Sequence, residues 1–368
     1  MKKLGFGCMR FPLLDPDDPK SIDFDQVCSM VDLFLERGFT YFDTAYFYHG
    51  GESEGMVKRA LTQRHPRDSF LLATKLPLSG LKDKSAEDMA RIFDEQLEKC
   101  GVDFFDYYLL HNINSDSYKT AQRLDSFGFA MEKKAQGKIR RLGFSFHDTP
   151  EVLDQVLTEH PEVEFVQLQL NYLDWDSITV QSRRCYETAV RHGKQVVVME
   201  PVKGGKLASP SPEVQELFRT YDPAASPVSW AIRFAASLEQ VILVLSGMST
   251  PEQVRDNTSY MADFRPLTDK ERDMVMEAAD LIRGDGTVPC TACSYCTGGC
   301  PSHIPIPTIL ALHNDNIRQP DKADYKGAYR SLEVNPDACV YCGQCMRACP
   351  QHIDVIGSLK TAAAVLGQ

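Results

Sequence analysis

Eight short strand-like apolar runs punctuate residues 1–286, and helix-like stretches separate them. The strand-like runs begin near Leu4, Thr40, Phe70, Phe105, Arg141, Glu164, Gln195 and Val241. Between them, apolar residues recur at helical spacing, as in Met89, Ile92, Phe93, Gln96, Leu97 and Cys100, and again in Val152, Leu153, Val156 and Leu157. Eight strand–helix pairs over about 250 residues are the arithmetic of a closed (β/α)8 barrel. A doubly wound sheet is the competing architecture, but its Gly-x-Gly-x-x-Gly loop does not follow the first strand. The expected fold class is α/β, with a (β/α)8 TIM barrel over residues 1–286.

Residues 287–368 follow a different rule. Cys290-x2-Cys293-x2-Cys296-x3-Cys300-Pro301 is answered by Cys339-x2-Cys342-x2-Cys345-x3-Cys349-Pro350. Each run gathers four thiols within eleven residues and ends in Cys-Pro, the bacterial ferredoxin spacing for [4Fe–4S] clusters. Structural zinc favours two separated Cys-x2-Cys pairs, so iron–sulfur is the better fit. In two-cluster proteins of this kind the fourth cysteine of a run serves the other cluster. That rule puts Cys290, Cys293, Cys296 and Cys349 on cluster 1, and Cys339, Cys342, Cys345 and Cys300 on cluster 2. The spacer of 38 residues holds two predicted helices, Thr308–Ile317 and Ala323–Leu332, so this part is expected to be a small, mainly α-helical ferredoxin-like domain. Cys8, Cys28, Cys100 and Cys185 fall in apolar-periodic stretches and are expected in the core.

No apolar run approaches the roughly 18 residues of a membrane span. Nothing at Met1-Lys2-Lys3 leads into an apolar signal segment, so a cytoplasmic location with reduced thiols is expected. A net charge of −11 argues against nucleic acid or an anionic membrane as partner. It is compatible with a basic redox partner.

Barrel enzymes place their chemistry at the C-terminal ends of the strands. The second strand ends in Phe42-Asp43-Thr44-Ala45-Tyr46-Phe47-Tyr48, the third in Ala73-Thr74-Lys75, and the fourth in Leu109-Leu110-His111. An Asp, a Tyr (Tyr46 or Tyr48), a Lys and a His are thereby expected on one rim. An ammonium beside a phenol favours phenolate, and a carboxylate keeps the ammonium charged. Such a group polarises a carbonyl and exchanges a proton with the developing alkoxide.

The order Asp43, Tyr48, Lys75, His111, with Asp-Thr-Ala-x-x-Tyr and the following Gly-x-Ser-Glu, resembles the aldo-keto reductase family over roughly residues 1–275. With the cysteine-rich tail, the chain resembles the ferredoxin-fused members found mainly in anaerobic prokaryotes. The resemblance implies an oxidoreductase acting on a carbonyl/alcohol pair. Tyr48 would be the general acid/base, Lys75 and Asp43 would tune it, and His111 would orient the substrate carbonyl. It also implies Ser145 and Gln167 as grips on a nicotinamide carboxamide, although Phe146 stands where the family has Asn and Met199 where it has a stacking Tyr. The segment Ser246–Asn257 keeps the family spacing and the final Asn257. Gly247 and Gln253 replace the Lys and Arg that clamp the 2′-phosphate of NADP.

A phosphate site is expected in Lys203-Gly204-Gly205-Lys206 and in Gly247-Met248-Ser249, which follow the seventh and eighth strands. The leading function is therefore a small-molecule carbonyl reductase or alcohol dehydrogenase, with NAD(P)H in the barrel and two [4Fe–4S] clusters for electron transfer. The alternative is a ferredoxin-linked enzyme with FMN in the barrel, because a flavin converts two-electron to one-electron steps. A pure electron carrier is the least favoured, because the four-residue rim would then have no purpose.

Overall fold

The computed structural model describes residues 2–81 and 84–367; Met1 and Gln368, the outer bounds of the two expected domains, lie outside them. Its strands are β1 (Leu4–Gly7), β2 (Tyr41–Asp43), β3 (Leu71–Leu76), β4 (Phe105–Ile113), β5 (Ile139–Phe146), β6 (Phe165–Gln169), β7 (Gln195–Met199) and β8 (Val241–Ser246). Each pairs in parallel with the next, and β8 returns to β1 through Leu4↔Val244, Gly5↔Leu245 and Phe6↔Ser246. The sheet is a closed barrel with no edge, as the eightfold alternation predicts.

Local signals explain the intervening helices. The helix Ala86–Cys100 opens on a Ser85/Asp88 capping box and closes on Gly101 at φ 65°, a left-handed position suited to glycine. Its buried face is Met89, Ile92, Phe93, Gln96 and Cys100, while Leu97 is half-buried.

Strand parity decides what fills the barrel. Phe42 packs edge-on against Phe34 of the helix Phe24–Glu36, at 5.4 Å between ring centroids, so it points outward. Tyr41 must then point inward. It joins Ala73, Tyr107, Leu109, Phe165, Val197, Leu243 and Leu245 in one buried cluster. The Tyr41–Tyr107 and Tyr107–Phe165 rings meet edge-on at 5.0 and 5.2 Å. β5 makes room with Gly143, where a Cβ would lie 2.5 Å from the Phe165 ring. Gly143→Ala should therefore destabilise the barrel by about 1–3 kcal/mol, the usual cost of overpacking. A lowered thermal midpoint with unchanged iron content would be the signature.

The same parity places the next layer. Asp43 lies two residues beyond Tyr41, Lys75 two beyond Ala73, Ser145 two beyond Gly143 and Gln167 two beyond Phe165. All four are buried, at the C-terminal side of the aromatic layer.

Compactness divides the chain into two units. The barrel unit comprises Met1–Asn171, Gln181–Pro201 and Ser229–Leu267. The second comprises Tyr172–Val180, Val202–Val228 and Thr268–Gln368, and so includes the segments that leave β6 and β7. Its helices Ile306–Arg318, Tyr325–Arg330 and Val355–Leu366 overlap or follow the two predicted ones. They enclose a core of Ile304, Ile306, Ile309, Leu310, Tyr329, Ile353, Val355, Leu359, Ala362 and Leu366. Among the described residues, no helix is long and apolar enough to cross a membrane.

Candidate functional site

Asp43 and Lys75 form a buried ion pair, with Lys75 Nζ donating to Asp43 Oδ1 at 2.5 Å and to the Thr44 carbonyl at 2.8 Å. Gln167 Nε2 reaches the other carboxylate oxygen at 3.2 Å. Burial pushes the Asp43 carboxyl up, and Lys75 and Gln167 pull it back. The Tyr48 hydroxyl lies 3.4 Å from Lys75 Nζ, the long end of hydrogen-bonding range. Tyr46, the other candidate, is turned away and donates to Glu95 at 3.1 Å.

The ammonium does not create a phenolate. Burial first, then the Asp43 carboxylate, hold the Tyr48 phenol well above the ordinary tyrosine range, so it keeps its proton. This reverses the charge balance expected from sequence. The Cys8 and Glu200 charges act in the same upward direction as Asp43, and Arg10 opposes them.

His111 stands edge-on to the Tyr48 ring, centroids 6.0 Å apart. It sits where β4 bulges: the β4–β5 register shifts between Leu110 and Ile113, and Asn112 is left-handed at φ 60°. The bulge frees the Asn112 N–H, which donates to Ser145 Oγ at 2.8 Å. Burial, with Lys75 and His147 nearby, holds the His111 pKa well below its usual value, so the ring is neutral.

A polar layer behind these residues was only partly legible. Glu54, of the Gly-x-Ser-Glu motif, accepts from Thr74 Oγ1 at 2.6 Å and Gln96 Nε2 at 2.8 Å. Gln96 also donates to the Lys75 carbonyl at 2.9 Å and accepts from Tyr108 at 2.7 Å. Ser53 shares a hydrogen bond with Thr44 at 2.8 Å. The motif thus braces the strand ends that carry Asp43 and Lys75. Gln96 carries no sequence signal for this role beyond being a polar residue on an apolar helix face.

Ser145 and Gln167 are register partners on β5 and β6. After β8, Ser249 N–H donates to Gln253 Oε1 at 2.7 Å, Ser249 Oγ donates to the Arg10 carbonyl at 2.7 Å, and Asn257 Nδ2 donates to Ser246 Oγ at 2.7 Å. The Arg10 side chain passes over Gly247, where a Cβ would lie 2.7 Å from its Cγ. Barrel closure thus brings a cation from just after β1 to Gly247, one of the two positions where the segment has lost its own.

Lys203-Gly204-Gly205-Lys206 is differently engaged. Lys203 is buried, bonded to both Asp174 oxygens at 2.6 Å and to Gln351 Oε1 at 2.8 Å. Lys206 donates to Thr287 Oγ1 at 2.6 Å, and burial draws its pKa down to about 8 against the pull of Asp285. Gly204, at φ 62°, is packed so that a Cβ would lie 2.5 Å from the Thr291 carbonyl oxygen. The expected pair of cations for a phosphate is already committed within the second unit.

The two cysteine runs share one backbone trace. Ala292 and Tyr341, Ser294 and Gly343, and His303 and His352 are all left-handed, each pair at the same offset from the first cysteine of its run. Cys296 has Cys293, Cys290 and Cys349 around it, and burial plus their charge push its thiol to about 12. Cys300, Cys339, Cys342 and Cys345 line one hollow with Ile304 and Leu359. Each grouping thus joins cysteines of both runs. Thiolates so crowded repel one another unless positive iron lies between them. Among the described residues, no three His, Cys, Asp or Glu gather tightly enough for a single metal ion. A cube spreads its thiolates over separate irons, so a wider grouping suits it. Of the other cysteines, Cys8, Cys100 and Cys185 are buried and Cys28 is half-buried.

Residues 3–280 match the Aldo/keto reductase family. The chain belongs to that family. Residues 289–353 match the 4Fe-4S dicluster domain, so this aldo-keto reductase carries an iron–sulfur domain at its C-terminal end. It is 29% identical to an aldo-keto reductase of Mycolicibacterium vanbaalenii, over 64% of this chain and 77% of that one. It is 23% identical to the NADH-specific methylglyoxal reductase of Escherichia coli, over 70% and 89%. An aldo-keto reductase from Klebsiella pneumoniae in complex with NADPH shares the fold at a TM-score of 0.56 and 18% identity, covering 76% of this chain and 90% of that one. The protein is thus an oxidoreductase of this family.

Proposed function

We propose that this aldo-keto reductase interconverts a small-molecule carbonyl and its alcohol, with Tyr48 as the proton donor and a nicotinamide cofactor in the barrel. The reading is carried by one observation: a protonated Tyr48 beside the buried Lys75–Asp43 pair and edge-on to a neutral His111. A carbonyl oxygen accepting from the Tyr48 hydroxyl and His111 is polarised before reaction. As negative charge develops on that oxygen, the phenol releases its proton to it, an alkoxide being the much stronger base. Lys75 then faces the new phenolate at close range and steadies it.

The residues fit a nicotinamide carboxamide. Ser145 accepts from Asn112 and keeps its O–H to donate; Gln167 donates to Asp43 and keeps its carbonyl oxygen to accept. Side by side on β5 and β6, they offer the donor and acceptor that a primary amide requires. When bound, the cofactor supplies a hydride. Its phosphates would meet Gly247, Ser249, Gln253 and Arg10 around the end of β8, rather than Lys203 and Lys206. The Klebsiella neighbour's NADPH complex and the Escherichia coli relative's NADH specificity support a nicotinamide and leave the choice between the two open to measurement.

The tail would hold two [4Fe–4S] clusters in the crossed sets, and pass single electrons to or from a redox protein. Release of cofactor from anaerobically purified protein, or a binding titration with NADH and NADPH, tests the barrel half. Tight binding of either nucleotide is expected, with perturbation by Ser145→Ala and Gln167→Ala. Release of FMN, with no nucleotide binding, would replace this reading with the flavin one.

A further inference from the structure

The two cysteine runs are alike in backbone and unlike in what covers them. In the first, Thr291 is 2% exposed, because the Lys203-Gly204 turn of the same unit packs on its carbonyl while Lys203 grips Gln351. Val340 holds the equivalent place in the second run, one residue after its first cysteine, and is 63% exposed. Tyr341 and Met346 beside it are also exposed. These three are among only nine large apolar side chains exposed among the described residues, and they fall within seven positions. Cys342, between them, is the one exposed cysteine among the described residues; the others are half-buried or buried.

The side chains differ as the exposure does. The first run carries Thr297-Gly298 where the second carries Met346-Arg347. Lys360 adds a second cation, its Nζ 4.9 Å over the Tyr341 ring. Only Asp337 opposes them between Pro336 and Arg347, and Arg347, Lys360 and Asp337 are all exposed. The net −11 of the chain lies wholly in residues 1–286, since residues 287–368 hold six Lys/Arg and six Asp/Glu.

We propose that the Val340–Arg347 surface is the electron port of the protein, docking a small acidic one-electron carrier protein against cluster 2. This rests on the redox reading of the tail above. In the first run the chain's own loop covers Thr291 and the neighbouring side chains are small; the second leaves Val340 bare and adds Tyr341 and Met346, apolar at its centre and basic at its rim, the anatomy of a transient interface. The apolar residues let the carrier approach the Cys342 edge of the cluster, and Arg347 and Lys360 steer its carboxylates. A cluster held by Cys339, Cys342, Cys345 and Cys300 would take one electron from the reduced carrier, with no bond made and no proton moved. The net charge of the whole chain is compatible with a basic partner; the local surface selects the opposite sign.

The test uses the full, anaerobically purified chain and a chemically reduced small acidic ferredoxin, following cluster bleaching by stopped flow. Reduction by dithionite and iron content report cluster integrity separately. Arg347→Glu with Lys360→Glu should slow the bimolecular step at least tenfold at low ionic strength, with the difference closing at high salt. Asp337→Lys should accelerate it, and Val340→Ser with Tyr341→Asn should slow it at any salt. Equal carrier rates in variants that dithionite still reduces would overturn the port. So would a dimer that the Val340→Ser/Tyr341→Asn variant splits without a change in carrier rate, which would make the patch a contact between copies. Wild-type clusters that no reductant bleaches would overturn the redox reading itself.

Discussion

Tyr48→Phe should lower turnover on a true carbonyl substrate by roughly 10²–10⁴-fold, the usual worth of a positioned general acid. The variant is clean because the hydroxyl's contact with Lys75 is long, at 3.4 Å, so its loss removes little structural support. Iron content and thermal midpoint should stay as in the parent. Lys75→Met is less clean: it leaves Asp43 buried without its partner, a change that costs about 3–5 kcal/mol in comparable pairs. The pH dependence follows from the same geometry. Burial and Asp43 raise the Tyr48 pKa, and burial with Lys75 lowers that of His111, so both stay neutral across about pH 6–9. Carbonyl reduction should be flat over that range. Alcohol oxidation, which needs the phenol deprotonated, should rise with pH. A reduction rate that fell with an apparent pKa near about 8, or a Tyr48→Phe enzyme of near-parental rate, would assign the proton to another group.

Cys300→Ser should remove one cluster of two. Iron should fall from about eight to about four atoms per chain, and the lost spectrum should match that of Cys342→Ser rather than Cys293→Ser. The reason is the hollow that Cys300 shares with Cys339, Cys342 and Cys345, away from the set that crowds Cys296. A Cys300→Ser spectrum matching Cys293→Ser would mean that each run serves its own cluster. Zinc in place of iron would end the electron-transfer reading altogether.

The residues that carry a periodic or spaced signal were readable in one dimension. The strand starts fall within two residues of expectation, because parity and apolar runs record which face each residue buries. The same parity places Asp43, Lys75, Ser145 and Gln167 in one layer. The choice of Tyr48 over Tyr46 came from the family resemblance and not from parity: both follow β2, and in the structure Tyr48 meets Lys75 and His111 while Tyr46 turns to Glu95. The partners of Lys203 and Lys206 were hidden for a related reason. A Lys-Gly-Gly-Lys turn reads as a phosphate cradle until its partners Asp174, Gln351, Thr287 and Asp285 are known, and these are remote in sequence.

By itself the sequence determined the closed barrel and the iron–sulfur domain that follows it, since each is written in a short-range period or spacing that the backbone geometry enforces. Three matters were left to tertiary structure. Barrel closure, β8 against β1, brings Arg10 over Gly247 and so places a cation at a position where the β8 segment has none. Burial beside Asp43 keeps the Tyr48 phenol protonated. Packing of Gly204 on Thr291, with no counterpart at Val340, makes two runs of equal spacing unequal in exposure. Each depends on the distance between residues far apart in the chain, and on how much water is excluded there. Those are quantities that a periodic pattern does not encode.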